Sequence, residues 1–259
     1  MHFSKETLTK SILAISVTGA MLATQPAIAY EGGDIIIKAG AAKVSPSSNS
    51  TNIFVDTPAL GDSGVGGIKV DDDTQLGLSF TYMIDNEFGV EVLGATPFEH
   101  DINLPILPAV NSALGEKIAS TKHLPPTITL NYYMNDAASK FQPYIGLGFN
   151  YTVFFEEKVT SNLDNPGVID VLAGGGAITD ITNTDIKLDD SFGVALHAGF
   201  DYAITNEIGV SVSYYKIDID TEAKVTTTST AGAYTGPVVA TVDVDIDPSV
   251  LMIGLNYKF

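Results

Sequence analysis

The sequence predicts an all-β protein, an eight-stranded antiparallel transmembrane β-barrel. Three observations carry that reading. The stretch "QPYIGLGFNYTVFF" at 142–155, and seven others like it, alternate apolar and small or polar residues with a period of two, the mark of a strand whose faces meet different surroundings. After residue 29 no apolar run approaches the ~20 residues of a membrane-crossing helix, yet mean hydropathy is +0.20 with 17% charged residues. The connections between the alternating segments are short and long by turns.

The elements follow in chain order. "MHFSKETLTKSILAISVTGAMLATQPAIAY" opens with Lys5 and Lys10, continues through an apolar run from Ile12 to Ala23, and ends on "AIA" at 27–29. This charge, apolar core and A-x-A order predicts a secretory signal peptide over 1–29, cleaved near Ala29. Residues 30–259 then form the barrel. Its strands are expected at 34–44, 74–84, 88–98, 125–134, 142–155, 191–202, 208–219 and 249–259. One parity of each is apolar, for example Ile35, Ile37, Ala39 and Ala41 in the first and Leu251, Ile253, Leu255, Tyr257 and Phe259 in the last. Lipid cannot satisfy an open sheet edge, so only a helix or a closed barrel can cross it. A barrel strand needs only every other residue to be apolar. The apolar parity therefore faces lipid. Gly146, Gly148, Asn150 and Thr152 face a lumen just wide enough for side chains. Tyr82, Tyr132, Tyr202 and Tyr257 lie near strand ends, where an interfacial aromatic girdle belongs.

"DNE", "NDAASK" and "ITNE" make the short turns, while 45–73, 99–124, 156–190 and 220–248 are long. Short turns at one end and long loops at the other describe an outer-membrane barrel of a Gram-negative bacterium. The four long stretches are expected as extracellular loops. A soluble barrel would bury the apolar parity and would not set glycine and serine toward water.

Charge excludes other classes. The chain carries −18 and contains no arginine, which removes a nucleic-acid partner. It has no cysteine, hence no disulfide framework and no thiolate site. Acidic runs recur at "VDDDT" (70–74), "KLDDS" (187–191), "IDIDTE" (217–222) and "VDVDIDP" (242–248). None has the spacing of a calcium loop. Oxygen ligands at alternate positions could hold a divalent cation, but the runs read rather as a solvated acidic rim, and no metal site or cofactor is assigned. No nucleophile elbow, HExxH or phosphate loop is present. His100 and His123, with Asp101 beside one of them, are what an enzyme at the rim would use. The protein is expected not to be an enzyme.

The stretches at 74–102, 123–155 and 189–223, together with the closing "YKF", resemble the outer-membrane protein W (OmpW) family. "TQLGLSFTYMIDNEFGVEVLGATPFEHDI" and "HLPPTITLNYYMNDAASKFQPYIGLGFNYTVFF" are two of them. The resemblance covers most of the barrel but not the detail of 45–73, 156–188 and 225–247. It implies a small eight-stranded barrel with a narrow apolar lumen, passive uptake of small hydrophobic molecules, and a sideways exit through the wall.

Parity places residues against that expectation. Lys38, Glu91, Asp201 and His197 point inward near the short-turn end, with Asn131. Charges in a narrow interior demand pairing, so a polar plug closing the periplasmic floor is expected rather than a water-filled pore lined by these groups, for which eight strands leave little room. Leu93, Ala95, Phe154 and Tyr215 point inward higher up and suit either an apolar constriction or ordinary interior filling. Pro125 and Pro126 lack N–H groups, which reads as a lateral seam in the wall or simply as the start of a strand. Expected partners are outer-membrane lipid and lipopolysaccharide, small hydrophobic solutes, and the barrel-assembly machinery through the aromatic C-terminal Phe259. The alternative function is a structural or receptor-type surface barrel without transport. Period-two placement makes a first test available. Leu130→Arg, near mid-bilayer on the lipid parity, should cost roughly 2–4 kcal/mol of barrel stability. Cysteines substituted for Phe80, Leu130, Phe149 and Leu196 should resist a water-soluble reagent that labels the opposite parity on a different schedule; equal labelling of both parities would reject this register.

Overall fold

The eight alternating segments become eight strands of a closed wall in the computed structural model, which describes residues 30–110, 114–173, 175 and 178–259. The barrel strands are β1 (Ile35–Ser45), β2 (Asp73–Met83), β3 (Phe88–Ala95), β4 (Thr127–Tyr133), β5 (Phe141–Val159), β6 (Ser191–Ala203), β7 (Ile208–Ile217) and β8 (Ser249–Lys258). Each pairs antiparallel with its sequence neighbour. β1 meets β8 with Ala39 opposite Leu255, which closes the ring. β4 meets both β3 and β5, with Leu130 opposite Val90 and Leu147. Every strand of the wall therefore has a partner on each side, as lipid requires. The expected signal peptide lies outside the described residues.

Alternation assigns the faces. Phe80, Leu130, Leu147, Phe149, Leu196 and Leu255 are exposed on the outer wall, while Ser79, Thr129, Asn150, Thr152 and Ala195 are buried within. Such exposed apolar residues are anomalous against water and ordinary against lipid. Tyr82, Tyr132, Tyr202 and Tyr257 are also outward, at the short-turn end.

A small barrel must bend sharply, and glycine supplies one bend. Gly77, Gly40 and Gly254 lie side by side across β2, β1 and β8. A Cβ on Gly254 would sit 2.2 Å from the Ala39 carbonyl oxygen, and one on Gly40 2.2 Å from that of Ile253. No side chain fits between these backbones, so the wall curves where Cβ atoms are missing.

Two expectations need correction. The third strand was expected to reach residue 98 and the fourth to begin at 125, but pairing stops at Leu93 opposite Thr127. The ladder between these chains resumes only at Phe98 opposite His123. Pro97, Pro125 and Pro126 occupy the gap, and proline cannot donate to a ladder. The second correction concerns the four long loops. They carry strands. Lys69–Val70, Phe98–Asn103 and Lys117–Leu124 extend the wall above β5. Asn49–Ser50, Asn52–Thr57, Gly61–Gly66, Ile178–Leu188, Asp220–Gly232 and Gly236–Asp245 build a second sheet of six strands. The two sheets share one apolar interior, with Ile53, Ile102, Leu104, Ile118, Ile186 and Val242 buried in it. A helix at Pro166–Leu172 packs Val168, Ile169 and Leu172 against it. Its N-terminus is capped by Asn165, whose side chain accepts from the Gly167 N–H.

The same period of two runs through this cap, with a different outward class. On "IDIDTE", Ile217, Ile219 and Thr221 are buried, whereas Asp218, Asp220 and Glu222 point out. On "VDVDIDP", Val242, Val244 and Ile246 are buried and the aspartates lie on the outer parity. These two acidic runs are thus the outward faces of amphipathic strands. The glycine geometry yields a paired test. Gly254→Val should destabilise the barrel by about 1–3 kcal/mol through overpacking. Gly94→Ala, where an added Cβ meets nothing within 4 Å, should be close to neutral. Thermal unfolding of the reconstituted barrel, followed by heat-modifiable gel mobility, compares them.

Candidate functional site

The interior is ordered in levels, and β1 lists them from the short-turn end upward: Lys38, Gly40, Ala42, Val44, all on the inward parity. The lowest level is charged. Lys38 Nζ lies 3.3 Å from Glu91 Oε2 and 3.1 Å from Asp201 Oδ2, with all three side chains buried. Lys38 also donates to the Tyr144 hydroxyl at 3.0 Å. Thr81 and Asn131 donate to Glu91 at 2.9 and 3.4 Å, and the Tyr215 hydroxyl donates to its other oxygen. Tyr30 donates to Asp201 at 2.7 Å. His197 Nδ1 lies 3.0 Å from Asn131 Oδ1, and its ring stacks on Tyr215 with centroids 3.9 Å apart. Beneath and beside them Tyr30, Tyr133 and Tyr144 pack ring to ring at 5.2 and 5.0 Å. Side chains thus fill the cross-section at this height, and one ammonium is shared by two carboxylates.

Above the floor the lining turns apolar. Leu93, Ala42, Ile217 and Val250 surround a small cavity of about 10 Å³ that also touches Gly94, Ala95, Phe98 and Pro125. This cavity abuts the unpaired stretch of wall between β3 and β4. The carbonyl of Pro126 accepts from Tyr151 N–H at 3.1 Å, so the far side of this segment remains tied to β5. Thr96 N–H turns away to Leu76 on β2. The neighbours thus hold each edge of the gap from outside, and among the described residues no strand pairing crosses it between Leu93–Thr127 and Phe98–His123.

One level higher, Val44, His100, His123, Phe154 and Ile219 line a cavity of about 20 Å³. His100 Nε2 and His123 Nε2 are 2.9 Å apart. The outward neighbours on these strands are Glu99, Asp101 and Lys122, so this level stands above the lipid-facing band. Val70, Ile102, Leu188 and Ile246 also line the cap cavity, about 50 Å³ and almost wholly apolar.

The structure brings Lys38, Glu91, Asp201 and His197 together. It separates the four constriction residues: Leu93 and Ala95 sit at the gap, Phe154 beside His123, and Tyr215 belongs to the polar floor by its hydroxyl. Sequence reading missed Tyr30, Thr81, Tyr133 and Pro97. Tyr133 shares inward parity with Asn131, so alternation held that signal. Pro97 lay inside a segment read as continuous strand. Tyr30 precedes the first strand, and no periodicity could place it.

The fold and its lining now meet the comparisons. A family model described as the OmpW family matches residues 31–259. The chain belongs to the OmpW family. Outer membrane protein W of Vibrio cholerae serotype O1 is 36% identical over 250 residues, covering 96% of this chain and 99% of that protein. Outer membrane protein W of Escherichia coli K12 is 35% identical over 249 residues, covering 96% and 98%. The crystal structure of the outer membrane protein OprG from Pseudomonas aeruginosa superposes with a TM-score of 0.72 at 38% identity, covering 89% of this chain and 98% of that one. This OmpW-family protein is an outer-membrane barrel of a Gram-negative bacterium.

Outside the lumen, Asp218, Asp220 and Asp247 bring carboxylate oxygens within 4.8 Å of one another. Asp218 and Asp220 are exposed, and burial and the neighbouring carboxylates raise the Asp220 carboxyl above its ordinary value. The second of these causes is the repulsion expected among acids on adjoining strands.

The floor makes its own test. Lys38→Met leaves Glu91 and Asp201 buried without their cation. Removing one partner of such a group costs about 3–5 kcal/mol, so thermal stability in lipid should fall sharply. Glu91→Gln should cost less, because Asp201 still holds Lys38.

Proposed function

We propose that this OmpW-family barrel is a channel for passive uptake of small hydrophobic molecules, which pass down an apolar lumen and leave sideways into the membrane. The observation that carries the reading is the sequence of levels: apolar cap cavity, apolar mid-lumen, charged floor. An apolar solute gains about 25 cal/mol for each Å² of surface it withdraws from water in the upper lumen. It gains nothing in a floor packed with an ion triad and tyrosines. The axial path therefore ends above Lys38. The neighbouring weak place is the stretch of wall around Pro97, Pro125 and Pro126, which the mid-lumen cavity touches.

In this reading Leu93, with Ala95 and Phe154, forms the apolar path. Tyr215 caps the floor, and Lys38, Glu91, Asp201 and His197 make the plug. No group is assigned to catalysis: His100 and His123 line a largely apolar cavity, and His197 sits in the polar floor against Asn131 and Tyr215. Outer-membrane lipid meets the exposed wall. Lipopolysaccharide contact at the acidic rim, and recognition of Phe259 by the barrel-assembly machinery, belong to the same reading. Phe259 is exposed and packs edge-on against Tyr257 at 4.6 Å.

Uptake of a neutral hydrocarbon-like solute by cells with matched barrel levels tests it. Wild-type cells should exceed cells lacking the barrel, and Leu93→Asp should return uptake toward their rate by placing a charge in the path. A disulfide between cysteines at Ala95 and Pro125 should slow uptake until it is reduced. Uptake by wild-type cells no faster than by cells lacking the barrel would replace transport with the structural or receptor role.

A further inference from the structure

The histidine pair above the lumen is bonded in a way that leaves one nitrogen without a partner. His100 Nδ1 lies 2.5 Å from the Asp71 carbonyl oxygen. A carbonyl only accepts, so this nitrogen carries the proton, and neutral His100 presents a bare Nε2. The Nε2 of His123 lies 2.9 Å from it and must therefore donate. His123 is left with a bare Nδ1, an acceptor, and this atom is buried with no hydrogen-bond partner. The ring is 4% exposed. Burial pushes the His123 imidazole down to about 3 and lowers His100 as well, in keeping with a neutral pair. A zinc ion bonded to both Nε2 atoms at about 2.0–2.1 Å in tetrahedral geometry would hold them more than about 3 Å apart, so the contact as it stands is a hydrogen bond.

The surroundings state what could satisfy Nδ1. Phe98 and Phe154 flank the ring, with centroids at 5.5 and 5.8 Å. The cavity that His123 lines is otherwise apolar apart from Thr121 and His100, and it runs into the cap cavity through shared residues. Thr121 already donates to the Lys122 carbonyl at 3.3 Å. Among the described residues lining this cavity there is no carboxylate to bond an ammonium group directly, although Asp71, Asp72 and Asp73 act on His100 from outside it and Asp73 on His123. A neutral O–H or N–H would not need a carboxylate.

We propose that His123 Nδ1 is a binding group for the polar end of the solute, which makes the barrel selective for amphiphiles with one terminal donor, alcohols or phenols, over hydrocarbons and ethers of equal size. The inference rests on the transport reading above and deepens it. The apolar walls take the tail, and the bare nitrogen takes the head. An acceptor left unmet in an apolar cavity is costly, so a donor-bearing solute relieves a penalty that an ether, an acceptor itself, leaves in place.

Two isomers separate these cases, 1-octanol and heptyl methyl ether, which share their atoms and differ in the O–H. The full barrel, labelled with ¹⁵N-histidine, is reconstituted in lipid nanodiscs, and binding of each isomer is titrated. 1-Octanol should bind about tenfold tighter, the effect of one buried hydrogen bond, and should shift the His123 Nδ1 resonance where the ether does not. His123→Phe keeps the ring and removes the acceptor, so it should bind both isomers alike. Equal binding of the two isomers to wild type, or an Nδ1 resonance unmoved by saturating 1-octanol, overturns the proposal while leaving the transport reading intact. Failure of both isomers to bind at all would remove that reading and this one together. Should the Phe variant not fold, the wild-type shift and the isomer ratio decide alone.

Discussion

The hydrocarbon of a bilayer offers no hydrogen bonds, and the rest of this structure depends on that constraint. Each backbone N–H and C=O at membrane depth must find its partner within the wall. Eight strands meet the demand by closing on themselves, β1 against β8 and β4 against β5. Closure at eight strands leaves an interior only side chains wide. A charge that points inward must then find its partner in something else that points inward.

This explains the floor. Lys38 is desolvated and would be untenable alone. Two carboxylates from opposite parts of the wall reach it, and hydroxyls from Tyr30, Tyr144, Thr81 and Tyr215 complete the network. The net charge of the triad is negative, and donors surround it in compensation. A cluster bonded from so many strands ties the barrel together across its axis and obstructs that axis by the same contacts. The wall opens its ladder where Pro97, Pro125 and Pro126 have no N–H to offer. Neighbouring strands hold both edges of that gap, so closure elsewhere survives it.

Above the lipid band the constraint relaxes, and the outward parity records it. Tyr214 and Leu251 face lipid; two or more steps farther along the same faces come Lys216, Asp218, Asp245 and Asp247. Inward residues remain mostly apolar, with Thr121, Thr221, Thr227 and the histidine pair among the buried polar exceptions. The cap is therefore the barrel's own alternation continued into water, folded into two sheets over a shared interior, with a buried histidine pair where lumen and cap meet.

Legible in the sequence were the number of wall strands, the lipid-facing parity, the short-turn end and the charged residues that had to pair, because a period of two and the cost of an unpaired buried charge are local and one-dimensional facts. Even the inward placement of Lys38, Glu91, Asp201 and His197 followed from counting along strands. Which partners meet did not, since β1, β3 and β6 converge only through the closure and stagger of the barrel. Tyr30 lies before any periodic segment, and its hydroxyl finds Asp201 across 171 residues of chain. Long segments that looked like loops became sheets because their alternating valines and isoleucines could bury one another only after the wall below had brought them together. The bare nitrogen of His123 was beyond any pattern. It arises from a carbonyl at Asp71 and a ring at His100, two bonds away, and only the tertiary structure sets those three groups in line.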